Sequence, residues 1–238
     1  MLSKIATIKP ERDFFDHFYI SYGNRYAFHT VGKAANSTVK LLLYRHELAG
    51  TGLKVPSVHD RAQSPLTSPY QYREADLENV CRGDEFFRFT FVRNPFSRLL
   101  SCYLDRIVNG GTRPYRELVR AMSKPEDYTP SFDEFIEVIC AQDTAVQNNH
   151  WRVQYADAMC KQIDYHFIGK QEEFARDFTI VYKKITGIIL PPKILQTNAS
   201  PSTTSAADRL DQYWTPSLRK LVLDKYEMDF SFFRYSRK

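Results

Sequence analysis

Arg93 and Ser101 lie on one segment, Phe86 to Ile107, with the sequence FFRFTFVRNPFSRLLSCYLDRI. A guanidinium followed by a hydroxyl on a helix is good chemistry for a phosphate group. A second group of donors lies upstream in Gly32-Lys33-Ala34-Ala35-Asn36-Ser37-Thr38. There Lys33 supplies a point charge, the turn supplies backbone N–H groups, and Asn36, Ser37 and Thr38 add side-chain donors on the first turn of a helix. The first glycine of a Walker A loop is missing, so the turn is not that motif. Between the two groups stands His59, in KVPSVHDR, as a candidate general base. His150, in HWRVQ, is the alternative base, because it joins a polar ring to the aromatic face of Trp151.

These residues need strands and helices to position them. Phe87, Phe89 and Phe91 alternate with Arg88, Thr90 and Val92, which predicts a strand. Asn94 is a predicted N-cap and Pro95 a predicted first helical residue. Phe96, Leu99, Leu100, Tyr103, Leu104 and Ile107 then repeat at helical spacing, leaving Ser97, Arg98, Ser101 and Asp105 off the apolar stripe. Arg93 is thereby placed at the carboxyl end of a strand, where open α/β sheets hold their ligands. Tyr26 to Val31 reads as a second buried strand, followed by a helix from Thr38 to Leu48. Gly50 to Ser57 reads as a turn and a short strand that ends at His59. Further helices are predicted at Glu74 to Cys81, in YRELVRAM, in FDEFIEVICA behind a Ser131 cap, and in SLRKLVLDKY.

The two phosphate-type elements together resemble the sulfotransferases that use 3′-phosphoadenosine-5′-phosphosulfate (PAPS), in the carbohydrate sulfotransferase branch. GKAANST resembles that family's 5′-phosphosulfate loop, and FVRNPFSRLLSCY its 3′-phosphate motif. The likeness continues through Asn149 to Gln154, Ile163 to Lys170, Asn198-Ala199-Ser200 and the closing YWTPSLRKLVLDKYEMDFSFFRY, from about Ala27 to Tyr235. One departure is Gly32, where the family usually has proline before the lysine.

The resemblance implies an α/β, P-loop-like three-layer fold with a central, mostly parallel sheet flanked by helices. It implies one sulfotransferase domain over residues 1–238, with a leader at 1–25 and a substrate-side insertion at 110–130. It implies PAPS as cosubstrate and 3′-phosphoadenosine-5′-phosphate (PAP) as product. Lys33, Ala34, Ala35, Asn36, Ser37, Thr38, Arg93 and Ser101 would bind the nucleotide, with Lys33 and His59 catalytic and no metal required. The acceptor would be a hydroxyl or amine, on a glycan or on a small natural product. A P-loop kinase-like phosphotransferase and a noncatalytic binding protein of the same fold are the competing classes.

Composition bounds these readings. The chain has 238 residues, 43% hydrophobic and 14% aromatic, enough for a sizeable core. A net charge of +5 suits an anionic ligand without demanding nucleic acid. Cys81, Cys102, Cys140 and Cys160 form no C-x-x-C pair, so reduced thiols and no structural zinc are expected. No signal-peptide core or membrane-length apolar run stands out, and the initial Met with a short leader suggests a cytoplasmic, bacterial-type enzyme or a soluble catalytic fragment.

Overall fold

The structure is a computed structural model, and it describes residues 5–195 and 204–237. In chain order its main elements are α1 (Glu11–His17), β1 (Phe18–Ser21), β2 (Tyr26–His29), α2 (Asn36–Glu47), α3 (Glu74–Arg82), β3 (Phe87–Val92), α4 (Pro95–Cys102), α5 (Arg113–Ala121), α6 (Phe132–Ala141), β4 (Phe167–Lys170), α7 (Phe174–Thr186), α8 (Pro216–Lys225) and α9 (Glu227–Phe232). The described residues divide into two compact units. One takes those of Met1–Val92 and Ala158–Pro201, the other those of Arg93–Asp157 and Ser202–Lys238.

The first unit is built on a four-stranded sheet in the order β1-β2-β3-β4. β1 pairs antiparallel with β2, while β2–β3 and β3–β4 are parallel. Parallel strands need crossover connections, and α2 with α3 and the run before β4 provide them. Every residue of β1 and β2 is buried, as is β3 after Phe87. A strand covered on both faces reads as a continuous apolar run, which is how FRFTFV behaves except for Arg88 and Thr90. Thr90 donates to the His29 carbonyl at 2.8 Å. Buried Arg88 donates to the Asp164 carbonyl at 2.6 Å, and its backbone N–H donates to His166 Nδ1 at 3.2 Å. His166 thus accepts from the backbone of β3. Phe28 and Phe89 stack at 5.0 Å across the β2–β3 pair. Gly169 faces Phe91 so closely that an added Cβ would overlap the ring.

The second unit is helical. Phe96, Leu99, Leu100 and Ile107 join Phe135, Ile136, Trp151, Trp214, Leu218 and Tyr226 in its core. Asn94 caps α4 by accepting from Phe96 N at 2.9 Å, with Pro95 behind it, as predicted. Ser131 and Glu134 form a reciprocal capping box on α6. All eight residues of α4 are buried, so the polar face predicted for Ser97, Arg98 and Ser101 is interior.

Three further expectations change. Within the predicted leader, α1 and β1 form, and β1 is an edge strand of the sheet. No strand forms between Gly50 and His59; the segment is irregular and mostly exposed. Pro56 lacks a ladder donor, and LKVPSV lacks the alternation that would bury one face. Ile107 closes a π-helical turn, Tyr103–Ile107, that follows α4 directly. The segment Asn198-Ala199-Ser200 lies outside the described residues. None of the four cysteines is paired in a disulfide among the described residues. Among the described residues, no helix is long and apolar enough to cross a membrane.

Candidate functional site

In the first unit the candidate residues gather where β2 hands over to α2. Val31 and Ala34 are fully buried and pin the two sides of the turn. Ala34 N donates to Val31 O at 3.2 Å, and Asn36 Nδ2 donates to the same carbonyl at 2.7 Å. Asn36 thus holds the loop closed rather than projecting a donor from it. Lys33 and Ala35 have φ of +67° and +59°, left-handed values that a residue with a Cβ adopts at a cost of roughly 1–2 kcal/mol each. Two such residues within three positions mark a backbone held in shape against its own preference. Ala35 is the N-cap of α2 and has no side-chain acceptor to offer the first-turn N–H groups. This is the geometry of an anion cradle at a helix N-terminus, with Lys33, Ser37 and Thr38 around it.

His59 joins this cradle. Its Nε2 lies 3.2 Å from Ser37 Oγ. No strand carries it; its backbone N–H donates to Ser57 Oγ at 3.2 Å, and Arg61 two residues on anchors the segment. The Arg61 guanidinium donates to the carbonyls of Leu66, Thr67 and Phe18 at 3.0, 2.8 and 3.3 Å, tying the irregular segment to β1. Asp60 caps the following turn, accepting from Ala62 N at 3.0 Å and from the Gln63 side chain, Nε2, at 2.7 Å, so each of its oxygens takes a donor from that turn. Arg61 also stacks on Tyr19, 4.2 Å from the ring centroid. Lys40, on α2, lies over the same ring at 5.5 Å and is only 6% exposed. Burial, and then the charge of Arg61, push the Lys40 amine down to about 8. His29 is interior, with Lys9 Nζ 3.0 Å from its Nε2.

In the second unit Arg93 opens the chain leading into α4. Its guanidinium Nε donates to Ser97 Oγ at 3.0 Å. Ser97 and Ser101 stand one turn apart on a face of α4, and Arg93 reaches Ser97 from the segment before the helix. Ser101 Oγ accepts from Thr204 at 3.2 Å. Gln154 grips Arg93 by both backbone groups, accepting from its N–H at 2.9 Å and donating to its carbonyl at 2.7 Å. Gln154 is in turn held by fully buried Asp229, which accepts from Gln154 N at 2.9 Å, Gln154 Nε2 at 3.3 Å and Tyr155 N at 2.8 Å. Desolvation pushes the Asp229 carboxyl up to about 6, and the donors from Gln154 and Tyr155 oppose that rise. Buried Arg98 donates to the carbonyls of Arg152 and Asn149, at 2.8 and 3.1 Å. The turn carrying His150 is therefore fixed, with His150 Nδ1 2.8 Å from Asn148 Oδ1.

The structure brings Lys33, Ala34, Ala35, Asn36, Ser37, Thr38 and His59 together in one unit, and it holds Arg93, Ser101 and His150 in the other. Sequence reasoning missed Arg61, Lys40, Ser97, Gln154 and Asp229. Only Ser97 carried a signal, its one-turn spacing from Arg93 and Ser101.

The model of the sulfotransferase family matches residues 16–236, and the chain belongs to that family. Human carbohydrate sulfotransferase 14 is 28% identical over 245 residues, covering 96% of this chain and 62% of the relative. Carbohydrate sulfotransferase 12 of Xenopus laevis is 28% identical over 175 residues, covering 64% of this chain and 41% of the relative. Carbohydrate sulfotransferase 11 of Rattus norvegicus is 23% identical over 203 residues, covering 77% and 56%. The chain thus spans about two fifths to three fifths of the length of these relatives. No solved structure matches it.

Proposed function

We propose that this chain transfers a sulfuryl group from PAPS to a hydroxyl group on a carbohydrate. The observation that carries the reading is the loop of left-handed Lys33 and Ala35 before α2, with the His59 imidazole 3.2 Å from Ser37. An oriented anion cradle next to a candidate base is what sulfuryl transfer requires. The residues fit the donor nucleotide: the backbone of Ala34 and Ala35 with Ser37 and Thr38 suits the 5′-phosphosulfate, while Arg93 and Ser101 suit the 3′-phosphate. Family membership and the carbohydrate sulfotransferase relatives support the substrate class. We read the four-stranded sheet and its helices as the P-loop-like three-layer class. Both units form one sulfotransferase domain in this reading, since the family match runs across both.

When bound, PAPS supplies a sulfuryl group on a phosphate leaving group. His59 takes the proton of the acceptor hydroxyl as its oxygen bonds to sulfur. Lys33 meets the negative charge left on the departing phosphate oxygen when the S–O bond breaks. Positioning and charge stabilisation do most of the work in a loose transfer of this kind. His150 is the alternative base.

Isothermal titration with PAP and ATP, followed by transfer of radiolabelled sulfate from PAPS to a panel of glycans and small hydroxylated compounds, tests the reading. Tight binding of PAP over ATP and labelled glycan are expected. Preference for ATP would overturn it, and labelling of small compounds alone would move the acceptor to a natural product.

A further inference from the structure

Lys40 is hard to explain as a structural residue. Lysine is almost never this buried unless paired. Among the described residues Lys40 has neither a hydrogen bond nor a salt bridge, and its neighbour in charge, Arg61, is another cation. The ring of Tyr19 offers some compensation, but Arg61 already lies closer to it. A cation held in this way lowers the stability of the free protein, and an anion close by would reverse that cost.

The helix shows where that anion would be. Lys40 stands three residues after Ser37 and four after Asn36, so the three share a face of α2. Long helical side chains point back towards the N-terminus, over the preceding turn. That turn is the cradle formed by Lys33, Ala35 and Ser37, with His59 on Ser37 and Arg61 two residues beyond it. We propose that Lys40 is a second cation of the anion cradle, one whose ammonium takes an oxygen of the donor's 5′-phosphate group alongside Lys33.

The inference rests on the PAPS reading and adds to it a binding residue that the loop motif does not contain. The lowered basicity of Lys40 fits this role, because a bound anion would restore the charged form. The groups acting on it and on its neighbours are Arg61, Tyr19, Tyr44 of α2 and Asp16 of α1, which acts on Tyr19 and Arg61. Burial pushes both tyrosines up, so they stay neutral as Lys40 titrates.

The test compares the parent, Lys40→Met, Lys40→Arg and Lys33→Ala by isothermal titration with PAP and with adenosine 3′-monophosphate, which lacks the 5′-phosphate. Lys40→Met should lose roughly tenfold to hundredfold in PAP affinity, the range for one charged hydrogen bond. It should lose little for adenosine 3′-monophosphate, and its melting temperature should be unchanged or higher. Lys40→Arg should retain most of the PAP affinity. Between pH 7 and 9 the parent should lose PAP affinity as Lys40 deprotonates, and Lys40→Arg should not. Parent-like PAP binding by Lys40→Met, with Lys33→Ala weakened, would overturn the inference while leaving the PAPS reading intact. Unfolding of Lys40→Met, or equal loss of both ligands with a lowered melting temperature, would make Lys40 structural and also overturn it. A parent that does not bind PAP would remove both readings together.

Discussion

Asp229→Asn is the most discriminating test of the scaffold beneath Arg93. The carboxyl is fully buried and pushed up from the ordinary 3.8 to about 6. Between those values the native protein holds a proton that the unfolded chain has released, so stability falls as pH rises through the window. Each pH unit between the two values is worth about 1.4 kcal/mol, so the native state should lose about 3 kcal/mol from this group between pH 4 and pH 7. Asparagine does not titrate there. It also has one acceptor oxygen, where Asp229 uses two to receive Gln154 N, Gln154 Nε2 and Tyr155 N. One buried donor is left facing an amide group, at a cost of roughly 1–3 kcal/mol. At pH 7 that loss is offset by deletion of the buried charge, and the two proteins should have similar stability. At pH 4 the parent should be the more stable by about 3 kcal/mol. Urea denaturation of both proteins at half-unit steps from pH 4 to 7.5 reads the difference directly. A stability difference that stays constant across the range would refute the burial of this carboxylate, and with it the account of how Gln154 is held. Gln154 grips Arg93, so Asp229→Asn should also weaken PAP binding several-fold at pH 7 while the protein stays folded.

Three other outcomes follow from named contacts. His59→Ala should lower sulfuryl transfer by roughly 10²–10⁴ with PAP affinity nearly intact; if His150→Ala abolishes transfer instead, the base belongs to the second unit. Arg93→Ala should cost more PAP affinity than Ser101→Ala, whose single neutral donor is worth roughly 0.5–1.5 kcal/mol, and titration of both variants ranks them. Gly169→Ala should destabilise the sheet by roughly 1–3 kcal/mol, because the new methyl meets the Phe91 ring, and thermal melting measures the loss.

Elements with local signals were legible in the sequence. The strand FRFTFV, the Asn94-Pro95 start of α4, the capping box at Ser131 and the first turn of α2 all rest on residue types within a few positions of one another. The strand expected before His59 failed because its apparent apolar run is interrupted by Pro56 and finds no neighbour to pair with. His59 was singled out by its position between two phosphate motifs, at the end of an expected strand that does not form. The segment beyond it is instead tied down by the three backbone carbonyls that Arg61 reaches, and no spacing encodes those.

The same limit explains Lys40, Gln154 and Asp229. A lysine in VKLLLY and an aspartate in YEMDFSFF look like ordinary solvated residues until tertiary packing removes their water. What marks them is burial without the usual justification: a cation beside another cation, and a fully buried carboxylate held by three N–H donors. Both kinds of burial work against stability unless the group serves another purpose. For Asp229 that purpose is to hold Gln154, and through it the main chain of Arg93. For Lys40, the Tyr19 ring that it shares with Arg61 supplies only part of the compensation, and an anion in the cradle of Lys33 and Ser37 would supply the rest.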